Sequence, residues 1–250
     1  MERIFAAIAM PFGWFLFAGL VLLCWWLTVM MALDFSSAVL SSTSPIPWHD
    51  ASFTLLFLMW AMMMLAMMLP SFVPTVSCYR RLLLQLPAHT AALRLTIFAG
   101  SYFALWLLFS VVAALLQQYA AAADALAPRL FFDSPLVRAI VLLAAGGFQW
   151  SPLKMKCLQG CRHPMFFFML HWSGGNAGAA RMGGRNGLLC VGCCWLLMLL
   201  LFVGGVMELT WIVGLTFYVL VEKTLPLPPL LLARASGSVL IVAGGYQFFI

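Results

Sequence analysis

Cys190-Val191-Gly192-Cys193-Cys194-Trp195-Leu196-Leu197-Met198 opens an apolar run that continues to Met207. Helical residues three and four apart share a face, so Cys190, Cys193, Cys194 and Met198 line one side of a helix over about two turns. Thiols and a thioether on one face of an apolar helix set the frame for the rest of the chain. A second sulfur pair lies upstream in Lys154-Met155-Lys156-Cys157-Leu158-Gln159-Gly160-Cys161-Arg162-His163, and Met59, Met62, Met63, Met64, Met67 and Met68 form a third cluster.

Composition defines the class. The chain is 65% hydrophobic and 8% charged, with a mean hydropathy of +1.06. A soluble domain carries about 25% charged residues. Apolar runs recur near the roughly 20 residues needed to cross a bilayer, and no alternating barrel-strand pattern is present. The expected fold is an all-α polytopic transmembrane helical bundle, one integral membrane domain over residues 1–250, with about seven spans and six as the alternative. The spans read as 11–33 (uncleaved at the N-terminus), 52–76, 95–118, 136–150, 188–207, 209–222 and 230–250. Pro70 and Pro74 kink or end the second. Met165 to Trp172 is too short to cross, and Ser173 to Gly187 reads as a Gly-rich loop.

The positive-inside rule orients the bundle. With the N-terminus in the cytoplasm, every Lys and Arg except Arg129 and Arg138 falls on the cytoplasmic side. The expected location is a bacterial inner (cytoplasmic) membrane, multi-pass. The net charge of +6 then reports topology, not nucleic-acid binding. In this orientation Cys78, Cys157, Cys161, Cys190, Cys193 and Cys194 share one membrane level, and only Cys24 lies elsewhere.

An internal match runs without gaps from Val141-Leu142-Leu143-Ala144-Ala145-Gly146-Gly147-Phe148-Gln149-Trp150 to Val239-Leu240-Ile241-Val242-Ala243-Gly244-Gly245-Tyr246-Gln247-Phe248. With a weaker echo of Trp60 to Met63 in Trp195 to Met198, it suggests that spans 2–4 and 5–7 are related as an inverted 3+3 repeat, a transporter-like plan. Gln149 and Gln247 would then pair across the pseudo-twofold axis.

Reduced thiols at one level are soft ligands. The candidate metal ligands are Cys157, Cys161, Cys190, Cys193, Cys194, His163, Met63, Met67 and Met198. Lys154, Lys156 and Arg162 are expected to favour the thiolate. Gln149, Lys154, Glu222 and Lys223 are further polar candidates, because polar groups inside spans are costly. The bland reading of a Cys or Met is a packing residue, and it suits Cys24 best. Glu222 and Lys223 read equally as interfacial residues. No nucleotide-binding, zinc-protease or nucleophile-elbow motif appears.

Several of these segments resemble an uncharacterised prokaryotic family labelled predicted metal-binding integral membrane protein. The matching pieces are Ala66-Met67-Met68-Leu69-Pro70-Ser71 with Pro74, Gly147-Phe148-Gln149 with Pro152-Leu153-Lys154, Cys157 to Cys161-Arg162 and Pro164, Gly175 to Ala179 with Gly184, the Cys190 to Met198 core, and Glu222-Lys223. The resemblance implies a multi-spanning protein with a bound metal and supplies no substrate or reaction. From the residues, copper comes first and zinc second, as Cu(I) or Zn. The use would be transport, delivery or a metal-dependent membrane process, with the lipid bilayer and a metal donor, acceptor or membrane complex as partners. The alternatives are a membrane thiol redox enzyme using the Cys pairs and a non-catalytic scaffold subunit.

Overall fold

The computed structural model describes residues 15, 17–34, 52–123, 132, 134–225 and 228–248. The expected loop carrying His49 and Asp50, together with Arg3, Asp124, Arg129, Asp133 and Pro226, lies outside the described residues. The described residues are almost wholly helical: α1 (Phe17–Asp34), α2 (Phe53–Leu82), α3 (Ala88–Ala122), α4 (Pro135–Gln149), α5 (Pro152–Arg162), α6 (Pro164–His171), α7 (Gly175–Leu199), α8 (Leu201–Gly204), α9 (Leu209–Thr224) and α10 (Pro229–Tyr246). Four of them are long and apolar enough to cross a membrane: α1, α2, α3 and α7 continued through α8. A fifth span arises if α4 and α5, bent by 64° at their junction, count as one. Such helices are compatible with a membrane protein, where every backbone group must be satisfied inside the chain.

Pro70 and Pro74 do not end α2, which runs unbroken to Leu82. Hydroxyl side chains beside the prolines take up backbone carbonyls: Ser71 Oγ donates to Met68 O at 3.1 Å and Ser77 Oγ to Val73 O at 2.6 Å. These bonds add hydroxyl donors to the helix around the prolines but do not reach Ala66 O or Pro70 O, the carbonyls that the prolines leave without a helical N–H.

The expected Gly-rich loop at 173–187 is instead the first half of α7. Its glycines serve packing. A Cβ at Gly183 would stand 2.2 Å from Phe98 O, and one at Gly187 would stand 3.0 Å from Tyr102 O. This four-residue glycine spacing lets α3 and α7 run backbone to backbone, as small residues do in membrane helix pairs. α5 closes on the same helix in a similar way. Leu189 fills the space beside Gly160, and Cys157 Sγ lies 3.0 Å from where a Gly192 Cβ would sit.

The break between α4 and α5 follows from Ser151-Pro152. Ser151 Oγ accepts from the amides of Leu153 (3.0 Å) and Lys154 (3.4 Å). Pro152 occupies the first helical position, where its missing N–H costs nothing. A new helix therefore starts at a new angle, which turns Lys154 back toward Gln149.

α4 and α10, the helices carrying the internal match, pack on each other by reciprocal contacts. A Cβ on Gly146 would meet Gly237 O and Ile241 Cγ1, each at 2.8 Å. A Cβ on Gly244 would meet Ala139 O at 3.2 Å and Leu143 Cγ at 3.0 Å. Gly146, Leu143 and Ala139 precede Gly244, Ile241 and Gly237 by one constant offset, the offset of the sequence match. Gln149 and Gln247 do not pair across this contact, because Gln149 bonds to Lys154 and Tyr218.

Candidate metal centre

Along α7, Met182, Asn186, Cys190, Cys194 and Met198 recur every fourth residue and are all buried. Cys190 is the centre of the polar contacts. Tyr102 Oη, carried by α3 across the glycine seam, shares a hydrogen bond of 2.8 Å with Cys190 Sγ. Lys223 Nζ, from the end of α9, donates to the same sulfur at 3.0 Å and reaches Ser71 Oγ on α2 at 3.4 Å. Cys161, on the α5 helix that packs along α7, is the neighbouring thiol from outside α7 that interacts with both Cys190 and Cys193. Side chains from α3, α5 and the end of α9 thus gather at one sulfur of α7, and α2 joins through Ser71 on Lys223.

The Cys193 and Cys194 thiols turn back along α7 and donate to Cys190 O at 3.1 and 3.0 Å. Thiols bonded to the preceding turn, as hydroxyls often are, are held off a common centre. Among the described residues no three His, Cys, Asp or Glu side chains form a ready metal shell, and a soft ion would have to draw Cys193 or Cys194 off that carbonyl. Cys157 is half-buried beside Gly192. His163 is exposed, apart from the buried thiols. Met63 and Met67 are buried within the same core as Cys190 and Met198. Cys24 packs away from it, with Ala66 and Leu69.

Glu222 and Lys223 are both buried, so the interfacial reading does not hold. Successive helical residues point about 100° apart, and the two side chains enter different networks. Lys223 faces the thiols. Glu222 pairs with Lys154 at 2.7 Å, both side chains fully buried. Tyr218 Oη donates to the same Glu222 Oε1 at 3.0 Å and contacts Ser236 Oγ at 2.7 Å. Gln149 joins by donating to Tyr218 Oη at 3.1 Å and accepting from Lys154. Glu222 Oε2 has no hydrogen bond. Arg162 ties this end of α9 down, donating to the carbonyls of Glu222 (3.0 Å) and Leu225 (2.6 Å), which satisfies groups a helix C-terminus leaves open.

Lys154 therefore pairs with Glu222, Arg162 donates to the α9 carbonyls, Lys156 is exposed, and the ammonium in contact with Cys190 is that of Lys223. Ser71, Tyr102, Asn186, Tyr218 and Ser236 escaped the sequence reading. The available signal was a polar side chain inside an apolar run, clearest at Tyr102.

A copper-chaperone family model, PpoB2, matches residues 57–247. The chain belongs to this family. PpoB2 membership covers every element from α2 to α10 and all the thiols except Cys24. No curated protein and no solved structure matches the chain.

Proposed function

We propose that this PpoB2 member is a membrane-embedded copper chaperone. It holds Cu(I) on Cys190 with Cys161, Cys193 and Cys194, takes Cys157 as a peripheral ligand, and passes the ion to a partner protein. The observation that supports this most directly is the buried Cys190 sulfur, one turn from Cys193 and Cys194 on α7, held at 3.0 Å by a buried ammonium group. Thiolates suit Cu(I) and zinc alike, and the thioethers of Met198, Met63 and Met67 beside them favour Cu(I). Two thiolates on one Cu(I) make a centre of charge −1, costly in an apolar interior unless paired. Lys223 supplies the balancing charge, and Tyr102 donates a hydrogen bond to the sulfur. Met198, Met63 and Met67 are relay ligands deeper in the bundle, and His163 is a rim ligand. Copper is favoured over zinc by the family description.

The location is the bacterial inner membrane, N-terminus in the cytoplasm, with the thiols at the cytoplasmic level. This orientation rests on the basic residues near the thiols. X-ray absorption at the copper edge of the Cu(I)-loaded protein tests the ligand assignment. At one copper per chain a shell dominated by sulfur scatterers is expected, and a shell dominated by nitrogen or oxygen would refute it.

A further inference from the structure

An open cavity of about 580 Å³ lies at the α5–α6 junction, lined by Cys78, Arg162, His163, Pro164, Met165, Phe166 and Met169. Its walls offer a thiol, an imidazole and two thioethers, with no carboxylate. That donor set suits a soft monovalent ion and suits magnesium or calcium poorly. Its donors lie at the surface of the chain, unlike the buried thiols: His163, Met165 and Met169 are exposed and Cys78 is half-buried. The neighbouring Tyr79 points the other way and packs on Phe98 and Phe168, so α2 turns Cys78 out to the cavity. Cys161, Arg162 and His163 are consecutive, so one helix end carries a thiol of the buried cluster and two walls of the cavity. Arg162 fixes this end by its bonds to the α9 carbonyls.

We propose that this cavity is a second Cu(I) site, an exchange port through which the ion passes between solution and Cys161. The proposal rests on the reading of the buried thiols as copper ligands. Transfer is ligand exchange without change of oxidation state. A bond from Cu(I) to a port donor breaks as one to Cys161 Sγ forms, and the thiol proton leaves to water at the open cavity. Soft donors in series allow such exchange without a free ion.

The test uses the full chain in detergent with Cu(I) as its bathocuproine complex. In a variant with Cys190, Cys193 and Cys194 all changed to Ser, Cu(I) is expected to protect Cys78 from maleimide labelling, read at the Cys78 peptide by mass spectrometry. In a separate variant with intact buried thiols, Cys78→Ser with Met165→Leu and Met169→Leu, copper loading of the buried centre is expected to slow about tenfold, and total copper is expected to fall only by the ion held at the port. Equal Cys78 labelling with and without Cu(I) would overturn the port, even if the second variant failed to fold. Wild-type copper content unchanged by the triple Ser substitution would instead overturn the buried centre, and Cys78 protection would still report on the port.

Discussion

Lys223 Nζ lies 3.0 Å from Cys190 Sγ, and both side chains are buried. An ammonium held against a thiol inside an apolar bundle carries a cost that a structural role alone does not repay. If Lys223 balances an anionic copper–thiolate centre, Lys223→Met lowers Cu(I) affinity by about 10–100-fold, in the range seen when a group supporting metal ligands is lost. Competition against a Cu(I) chelator reads this out. Unchanged affinity in the variant would remove Lys223 from the centre.

The Glu222–Lys154 pair makes a different prediction. Removing one partner leaves a buried charge uncompensated, which costs about 3–5 kcal/mol. Glu222→Gln and Lys154→Met alone should each lower the thermal midpoint in detergent markedly. The double variant should recover most of the loss, because replacing both members of a buried pair is often near neutral. Additive losses would show that the two side chains do not act as a pair.

The reciprocal α4–α10 contact predicts a pattern over four glycines. Gly146 and Gly244 face the partner helix closely, whereas a Cβ on Gly147 or Gly245 meets nothing within 4 Å. Gly146→Val and Gly244→Val should destabilise by about 1–3 kcal/mol, as overpacking does, and the same change at Gly147 and Gly245 should be tolerated. Thermal unfolding of the four variants decides the matter, and equal sensitivity at all four positions would contradict the contact.

The α3–α7 seam links packing to the site. Gly183→Ala places a Cβ against the Phe98 carbonyl, where something must shift. Separation of α3 from α7 draws Tyr102 away from Cys190. The variant should lose copper affinity even where it still folds, in parallel with Tyr102→Phe. Wild-type copper affinity in both would show that Tyr102 does not tune the sulfur.

Much of this was legible in residues 141–150, 190–198 and 222–223. Apolar run length and low charge gave the helical class, and the matched decapeptides fall on two helices that pack reciprocally. The Gly-rich half of α7 was misread because glycine breaks helices in water, while among apolar helices it permits close approach. Lys154 was assigned to the thiols because it is near Cys157 in sequence; the turn at Ser151-Pro152 points it to Glu222 instead. Tyr102 and Ser71 could be placed at Cys190 only once α2, α3 and α7 were assembled, since no local spacing relates them.

The most direct test of the copper centre is the metal content of the purified, reduced and copper-loaded protein by mass spectrometry. Wild type is compared with the variant in which Cys190, Cys193 and Cys194 are all Ser. The account predicts about one more bound copper per chain in the wild type than in the variant, which keeps only the exchangeable ion at its port. Equal copper in both, or none in the wild type after reduction and loading, would contradict it.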